Sequence, residues 1–238
     1  MILYYIRHGD PIYDPDSLTP LGERQAEAIA KRLALYGIDR IFSSTSNRAI
    51  QTALPTSELT KTEIELLDFC NEGYAWDEFA IPDENGHKDW VFRNRAVIQL
   101  FVSQEVYHLG QQWYEYPEFK RYKFKQGIER INRETDALLS SLGYEHIRER
   151  SIYRAVRPTD ERIAIFAHQG FGINFLSSLL DIPYPQFCMR FDMSHSGMSV
   201  IEFKDIDGMV IPKALMVAND SHLYKEGLPT YYNNTLRF

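Results

Sequence analysis

Two apolar runs, residues 1–6 and 163–167, each lead straight into a histidine: the first into Arg7-His8-Gly9, the second into His168-Gln169-Gly170. Short apolar runs without polar alternation read as strands buried on both faces, the pattern of a parallel sheet covered by helices. Ligands of open α/β sheets bind at the carboxyl ends of the strands. A histidine placed there twice, in mirrored local contexts, lets two imidazoles converge across one crevice. No other feature of the chain narrows its fold and chemistry as much.

The flanking segments agree with a parallel sheet. Thr19 suits a helix N-cap and Pro20 the first helical position. Ala26, Ile29, Ala30 and Leu33 then follow helical spacing, and Gly37 closes the helix. Residues 40–43 read as a second strand. Ser44 to Asn47 offer capping side chains for a helix carrying Arg48, Ala49, Thr52 and Ala53, and 63–67 is a third strand. From 73 to about 135 the pattern changes to many aromatics interleaved with charges, read as a mainly helical insertion. It serves either as a packing layer or as a cap that shapes specificity. The alternation then resumes, with a turn at His168-Gln169-Gly170 and a helix over 173–180. Residues 197–203 and 209–217 form a strand pair around Ile206-Asp207-Gly208. The expected fold is a three-layer α/β/α domain spanning 1–238, with a mostly parallel sheet, a late antiparallel addition and the aromatic-rich helical insertion.

Composition excludes several classes. Charged residues make up 25% of the 238 and hydrophobic ones 44%, the balance of a globular protein. No apolar stretch approaches the ~18 residues that span a membrane, and the first strand is too short for a signal peptide. Two cysteines, Cys70 and Cys188, make no disulfide framework, so a reducing cytoplasm is the expected location. A net charge of -7 without a long basic run argues against nucleic acid as partner, yet permits a local cationic cleft for an anionic substrate. No oligomeric state is read from the sequence.

Arg7 beside His8 pairs a cation able to grip a dianion with an imidazole able to act as a nucleophile near neutral pH. Arg48 falls in the first turn of its helix, where a cation does nothing for the macrodipole and makes sense if an anion is bound between the two positive elements. Gly170-Phe171-Gly172 is a fragment of a dinucleotide fingerprint, but Phe175 occupies the third glycine position, so no nucleotide cofactor is expected.

Taken in order, YYIRHG, LTPLGERQAEAIAKRL, IFSSTSNRAIQTA, IAIFAHQG and ANDSHL resemble the histidine phosphatase superfamily, whose other well-known branch is the phosphoglycerate mutases. The resemblance implies that His8 becomes phosphohistidine and that Arg7, Arg48 and His168 surround the phosphoryl oxygens, with Gln169 beside them binding substrate. It implies no cofactor and no metal, because the arginines supply the charge. For the general acid, Asp68 aligns best by spacing from Leu66, and Glu72 is the alternative one helical turn further on. Asp10-Pro11 departs from the family's small polar residue and puts a negative charge beside the phosphate unless it points away. Asn219 and His222 of ANDSHL have either a supporting role around the site or the role of an ordinary structural loop. The implied activity is hydrolysis of a small phosphomonoester. Mutase-type transfer and non-catalytic binding of a phosphorylated ligand are the alternatives.

Overall fold

In the computed structural model, which describes residues 1–233, the chain divides into two compact units. The first comprises Met1–Asn71, Pro158–Gln169 and the segment from Met193 onward. It carries a six-stranded sheet built from β1 (Ile2–Arg7), β2 (Arg40–Ser43), β3 (Ile64–Leu66), β4 (Arg162–Ala167), β5 (Met198–Glu202) and β6 (Lys213–Asn219). The order across the sheet is β6-β5-β1-β4-β2-β3. The pairings β1–β4, β4–β2 and β2–β3 are parallel, whereas β5 runs antiparallel to β1 and to β6. The expected mostly parallel α/β sheet with a late antiparallel addition is therefore what forms.

Alternation along the central strands sends Tyr4 and Ile6 of β1 and Ala164 and Phe166 of β4 to one face. There they pack with Ile29 and Leu33 of α1 (Pro20–Tyr36) and Ala53 of α2 (Asn47–Thr60). The Thr19 hydroxyl accepts from the Gly22 N–H, Pro20 opens α1, and Gly37 at φ 75° ends it. Gly22 has a second task. A Cβ on it would lie 2.2 Å from the Asp10 carbonyl oxygen, and one on Gly9 would lie 2.6 Å from the Gly22 carbonyl oxygen. The two glycines let α1 press against the loop that follows β1. Gly22→Ala is expected to cost about 1–3 kcal/mol through overpacking and to lower the melting temperature by roughly 2–4 °C per kcal/mol. A thermal melt unchanged from the parent would remove this role.

Three local expectations need correction. The cap of α2 comes from elsewhere: the side chain of its N-cap, Ser46, makes no capping bond, and Asp16 accepts from the Asn47 N–H at 2.7 Å. The second strand of the late pair does not run through 209–217. Met209–Val210 is a separate short strand, and β6 begins only after Pro212, which lacks the N–H a ladder needs. Asp207 and Gly208, at φ 53° and 84°, make the tight turn between Ile206 and Met209. Finally, His168-Gln169-Gly170 is not a turn, because the helix Gln169–Leu179 starts on the residue after His168. Gly170 is glycine for packing, since a Cβ there would sit 2.1 Å from the Trp90 ring.

The second unit, Glu72–Arg157 with Gly170–Asp192, contains the aromatic stretch. It is mainly helical and includes two hairpins, Ala80–Pro82 with Lys88–Trp90 and Tyr144–Ile147 with Ile152–Ala155. Trp113, fully buried, stacks on Tyr184 and meets Phe101, Phe119 and Phe124 edge-on or tilted. These rings form a core of the second unit. Both ring nitrogens of His146 face carboxylates, Asp136 at 2.9 Å and Asp181 at 2.7 Å. Among the described residues, no helix is long and apolar enough to cross a membrane.

Candidate active site

Register brings the two mirrored histidines side by side. Arg7 pairs with Ala167 across β1 and β4, and the His8 N–H donates to the Ala167 carbonyl at 2.8 Å. On the other side of β4 the Ser44 N–H donates to the Phe166 carbonyl, so Ser44 leaves β2 next to His168. Three neighbouring parallel strands thus deliver His8, His168 and Ser44 from their carboxyl ends. The His8 and His168 ring centroids lie 5.2 Å apart, one ring edge-on to the other.

Hydrogen bonds decide which nitrogens are available. His8 Nδ1 is 2.7 Å from the Gly9 carbonyl oxygen, which can only accept. Nδ1 therefore carries the hydrogen and Nε2 the lone pair. Arg48 Nη2 lies 3.2 Å from His168 Nδ1 and can only donate, so His168 bears its hydrogen on Nε2 and gives it to Ser44 Oγ at 2.8 Å. The Tyr5 hydroxyl holds the backbone of His168 from both sides, donating to its carbonyl and accepting from its N–H. Burial, followed by the charges of His168, Arg7 and Arg48, holds the His8 pKa well below the ordinary histidine value, despite the opposing Gly9 bond. Burial, with Arg48 and Arg7, does the same to His168.

The cations are fixed in place. Fully buried Arg7 donates from Nη1 to the Met193 carbonyl at 2.6 Å and from Nη2 to Asn233 Oδ1 at 2.8 Å. Arg48 donates from Nη1 to Asp16 at 2.6 Å and lies over the Tyr13 ring. The anion expected between Arg48 and its helix start is thus met in part by the chain's own Asp16 carboxylate. Thr52 links the two halves, accepting from the Gly9 N–H and donating to the Arg48 carbonyl. Gln169 Oε1 accepts from Asn233 Nδ2 at 3.3 Å. Asp10 is taken up by its neighbours: one carboxylate oxygen accepts from Thr19 at 2.7 Å, and the other lies 3.2 Å from His195 Nδ1. The His195 bond leads in holding the Asp10 pKa down.

His195 was not singled out from the sequence. It is buried, its ring centroid lies 6.0 Å from that of His8, and its Nε2 lies 3.0 Å from Asn233 Oδ1. Its signal was available: a third histidine just before a buried strand, in Ser194-His195-Ser196-Gly197. Asn219 and His222 stand one step back. Asn219 accepts from Arg32, and His222 bonds Ser196 Oγ at 2.9 Å, while the Ser196 N–H donates to the His8 carbonyl.

Of the two acid candidates, Asp68 is exposed at the start of a 3-10 turn and accepts from Thr45 at 3.3 Å. Glu72 opens the helix Glu72–Phe79 of the second unit, is half-buried, and accepts from the Gly170 N–H at 2.7 Å. Gly170 is the second residue past His168.

The model of the histidine phosphatase superfamily (branch 1) matches residues 3–89, the segment that carries Arg7-His8-Gly9 and Arg48. For the motifs within that span, from YYIRHG to IFSSTSNRAIQTA, the resemblance is thereby borne out. Among solved structures, phosphoserine phosphatase from Entamoeba histolytica in complex with 3-phosphoglyceric acid has a TM-score of 0.58 at 19% identity, covering 93% of this chain and 98% of that one. A mycobacterial glucosyl-3-phosphoglycerate phosphatase has a TM-score of 0.57 at 16% identity, covering 90% and 97%. A protein described as mycobacterial hydrolase 1 has a TM-score of 0.59 at 16% identity, covering 92% and 98%. At these identities the likeness is one of fold. Comparison with curated proteins found no match.

A depressed histidine pKa has a definite sign in kinetics. The neutral, nucleophilic form persists as pH falls below the ordinary value of about 6.5. The acid limb of kcat/KM assigned to His8 is expected below that value, after allowance for the substrate's own ionisation. A limb at or above the ordinary value would contradict the buried, cation-flanked environment.

Proposed function

We propose that the chain is a phosphomonoesterase that works through a phosphohistidine on His8 Nε2. The observation that carries this is the His8 Nδ1 bond to the Gly9 carbonyl, which leaves the lone pair on Nε2 of a ring that stands beside His168, itself contacted by Arg48. In the first step Nε2 attacks phosphorus and the P–O bond to the leaving alcohol breaks. A carboxylic acid gives that oxygen its proton. In the second step the same carboxylate takes a proton from water, the water oxygen bonds to phosphorus, and the P–N bond breaks with its electrons returning to Nε2. Arg7 and Arg48 meet the charge on the phosphoryl oxygens, with the neutral His168 ring positioned by Arg48 and Ser44 beside His8, and such electrostatic support is most of what phosphoryl transfer asks of a protein. The structural neighbours' names point to phosphomonoesters of small metabolites, and a substrate of that class suits this chain.

Glu72 is the better proton donor of the two candidates. It is the more sheltered carboxylate, and it accepts from the N–H of Gly170, the second residue past His168. The approach of a phosphate dianion raises a neighbouring carboxyl pKa towards what an acid catalyst needs. Glu72→Gln is expected to slow hydrolysis of an alkyl phosphate about 10²- to 10⁴-fold and to affect an aryl phosphate much less, because a phenolate leaves without help. Asp68→Asn is expected to change neither. The reverse outcome would move the role to Asp68.

The overall reading is tested by incubation with an aryl phosphate, with and without bisphosphoglycerate, and by rapid acid and alkaline quenching. Phosphate release independent of bisphosphoglycerate, with protein-bound phosphate that is acid-labile and base-stable, is the expected result. Isomerisation strictly dependent on bisphosphoglycerate would make the chain a mutase. Binding without turnover would make it a phospholigand receptor.

A further inference from the structure

On the first unit, α1 and the short helix Ser221–Lys225 enclose a cavity of about 160 Å³, lined among others by Lys31, Arg32, His222, Lys225 and Glu226. Three cations face one carboxylate. Lys31 is paired with Glu226 at 2.7 Å. Arg32 spends its guanidinium on neutral acceptors: the Tyr36 hydroxyl at 3.1 Å, the Asn219 amide oxygen at 2.5 Å and the Met216 sulfur at 3.6 Å. Lys225 makes no ion pair among the described residues. In a chain of net charge -7, a concavity that keeps such an excess of positive charge has a field suited to an anion.

A buried imidazole gives a second, independent sign. His222 is 3% exposed and lines this cavity. The Ser196 hydroxyl reaches its Nε2 at 2.9 Å, while Nδ1 meets no partner among the described residues. When the hydroxyl donates to Nε2, the one acceptor its side chain meets among the described residues, Nδ1 carries the hydrogen and is a buried donor that lacks an acceptor, a state proteins seldom leave unrelieved. Burial, with Arg32 beside it, lowers the His222 pKa to about 4, so near neutral pH the ring offers a hydrogen bond and not a charge.

We infer that this cavity is a second anion site, for a small phosphate-type oxyanion held by Arg32, Lys225 and the His222 Nδ1–H, and that its occupancy reaches His8. The path is two hydrogen bonds long: His222 to the Ser196 side chain, and the Ser196 N–H to the His8 carbonyl at 3.1 Å. Its size suits inorganic phosphate or a compact phosphorylated or sulfated acid. A site of this kind would let the supply of a free anion adjust turnover without occupying the reaction centre.

The test is a titration with inorganic phosphate followed on the imidazole ¹H–¹⁵N resonances, with His222 assigned through His222→Gln. In the wild type the His222 signals are expected to shift saturably. In Lys225→Glu, at an exposed position that leaves folding undisturbed, the midpoint is expected to rise about tenfold or more. Phosphate also competes at the reaction centre and raises KM in both proteins. A change in kcat present in the wild type and absent in Lys225→Glu marks the second site. Stationary His222 resonances, an unmoved midpoint in Lys225→Glu, or a wild-type kcat indifferent to phosphate would each overturn the inference. The resonance arm reads this site even if no hydrolysis takes place at His8.

Discussion

His8→Ala is expected to lower kcat by about 10⁴-fold or more, the scale seen when a covalent nucleophile is removed, and to abolish acid-labile phosphate on the protein. The size follows from chemistry and not from packing. In the proposed mechanism the ring supplies the bond to phosphorus that forms in the first step, and the Gly9 carbonyl on its Nδ1 leaves the lone pair on Nε2. Folding should survive, because the bonds that seat residue 8 are backbone ones: its N–H to the Ala167 carbonyl, and its carbonyl to the Ser196 N–H. A melt close to that of the parent checks this. Free imidazole should restore part of the turnover by entering the space left by the ring, whereas a merely structural histidine would show no such rescue. Activity within tenfold of the parent would remove the covalent mechanism.

What could be read from the sequence, and what could not, divides along the range of the interactions. The ends of α1 were legible because Thr19, Pro20 and Gly37 act on their own neighbours. The strand ends at His8 and His168 were legible because unbroken apolar runs leave few alternatives to a covered parallel sheet. The pairing of Gly9 with Gly22 lay in both motifs, but only the fold shows that the two glycines face one another. The misses are long-range. Asp16 caps α2 from a loop 31 residues earlier, which made the local Ser44 to Asn47 cluster look sufficient. Gly170 resembles a turn residue until Trp90, 80 positions away, occupies the space of its missing side chain. His195 reaches the neighbourhood of His8 because β5 pairs antiparallel with β1, which brings Ser196 onto the His8 carbonyl. Spacing from Leu66 favoured Asp68, but exposure and hydrogen bonding favour Glu72, and neither property is visible in spacing.

Arg48→Ala is the cleanest test of the charge cluster, and it should reduce kcat about 100- to 1000-fold, the usual effect of deleting one preorganised donor. Arg7 would serve less well, since its guanidinium is fully buried and also holds the chain at Met193, so its loss would mix folding with chemistry. Arg48 is 11% exposed on its side chain, and its removal releases Asp16 and His168 Nδ1 among its partners. The deficit should fall mainly on kcat, because the negative charge it meets grows as the phosphoryl group transfers. Arg48→Lys keeps the charge but loses the planar fork that spans both partners, and should recover little. Asp16→Asn separates position from charge: it leaves the guanidinium present but loosely held, and an intermediate loss of kcat with the Arg48→Ala effect undiminished would show that Asp16 only positions it. A kcat for Arg48→Ala within tenfold of the parent, in a protein that still melts normally, would mean that Arg48 is held by Asp16 for the sake of the fold and that the phosphoryl charge is met by other groups.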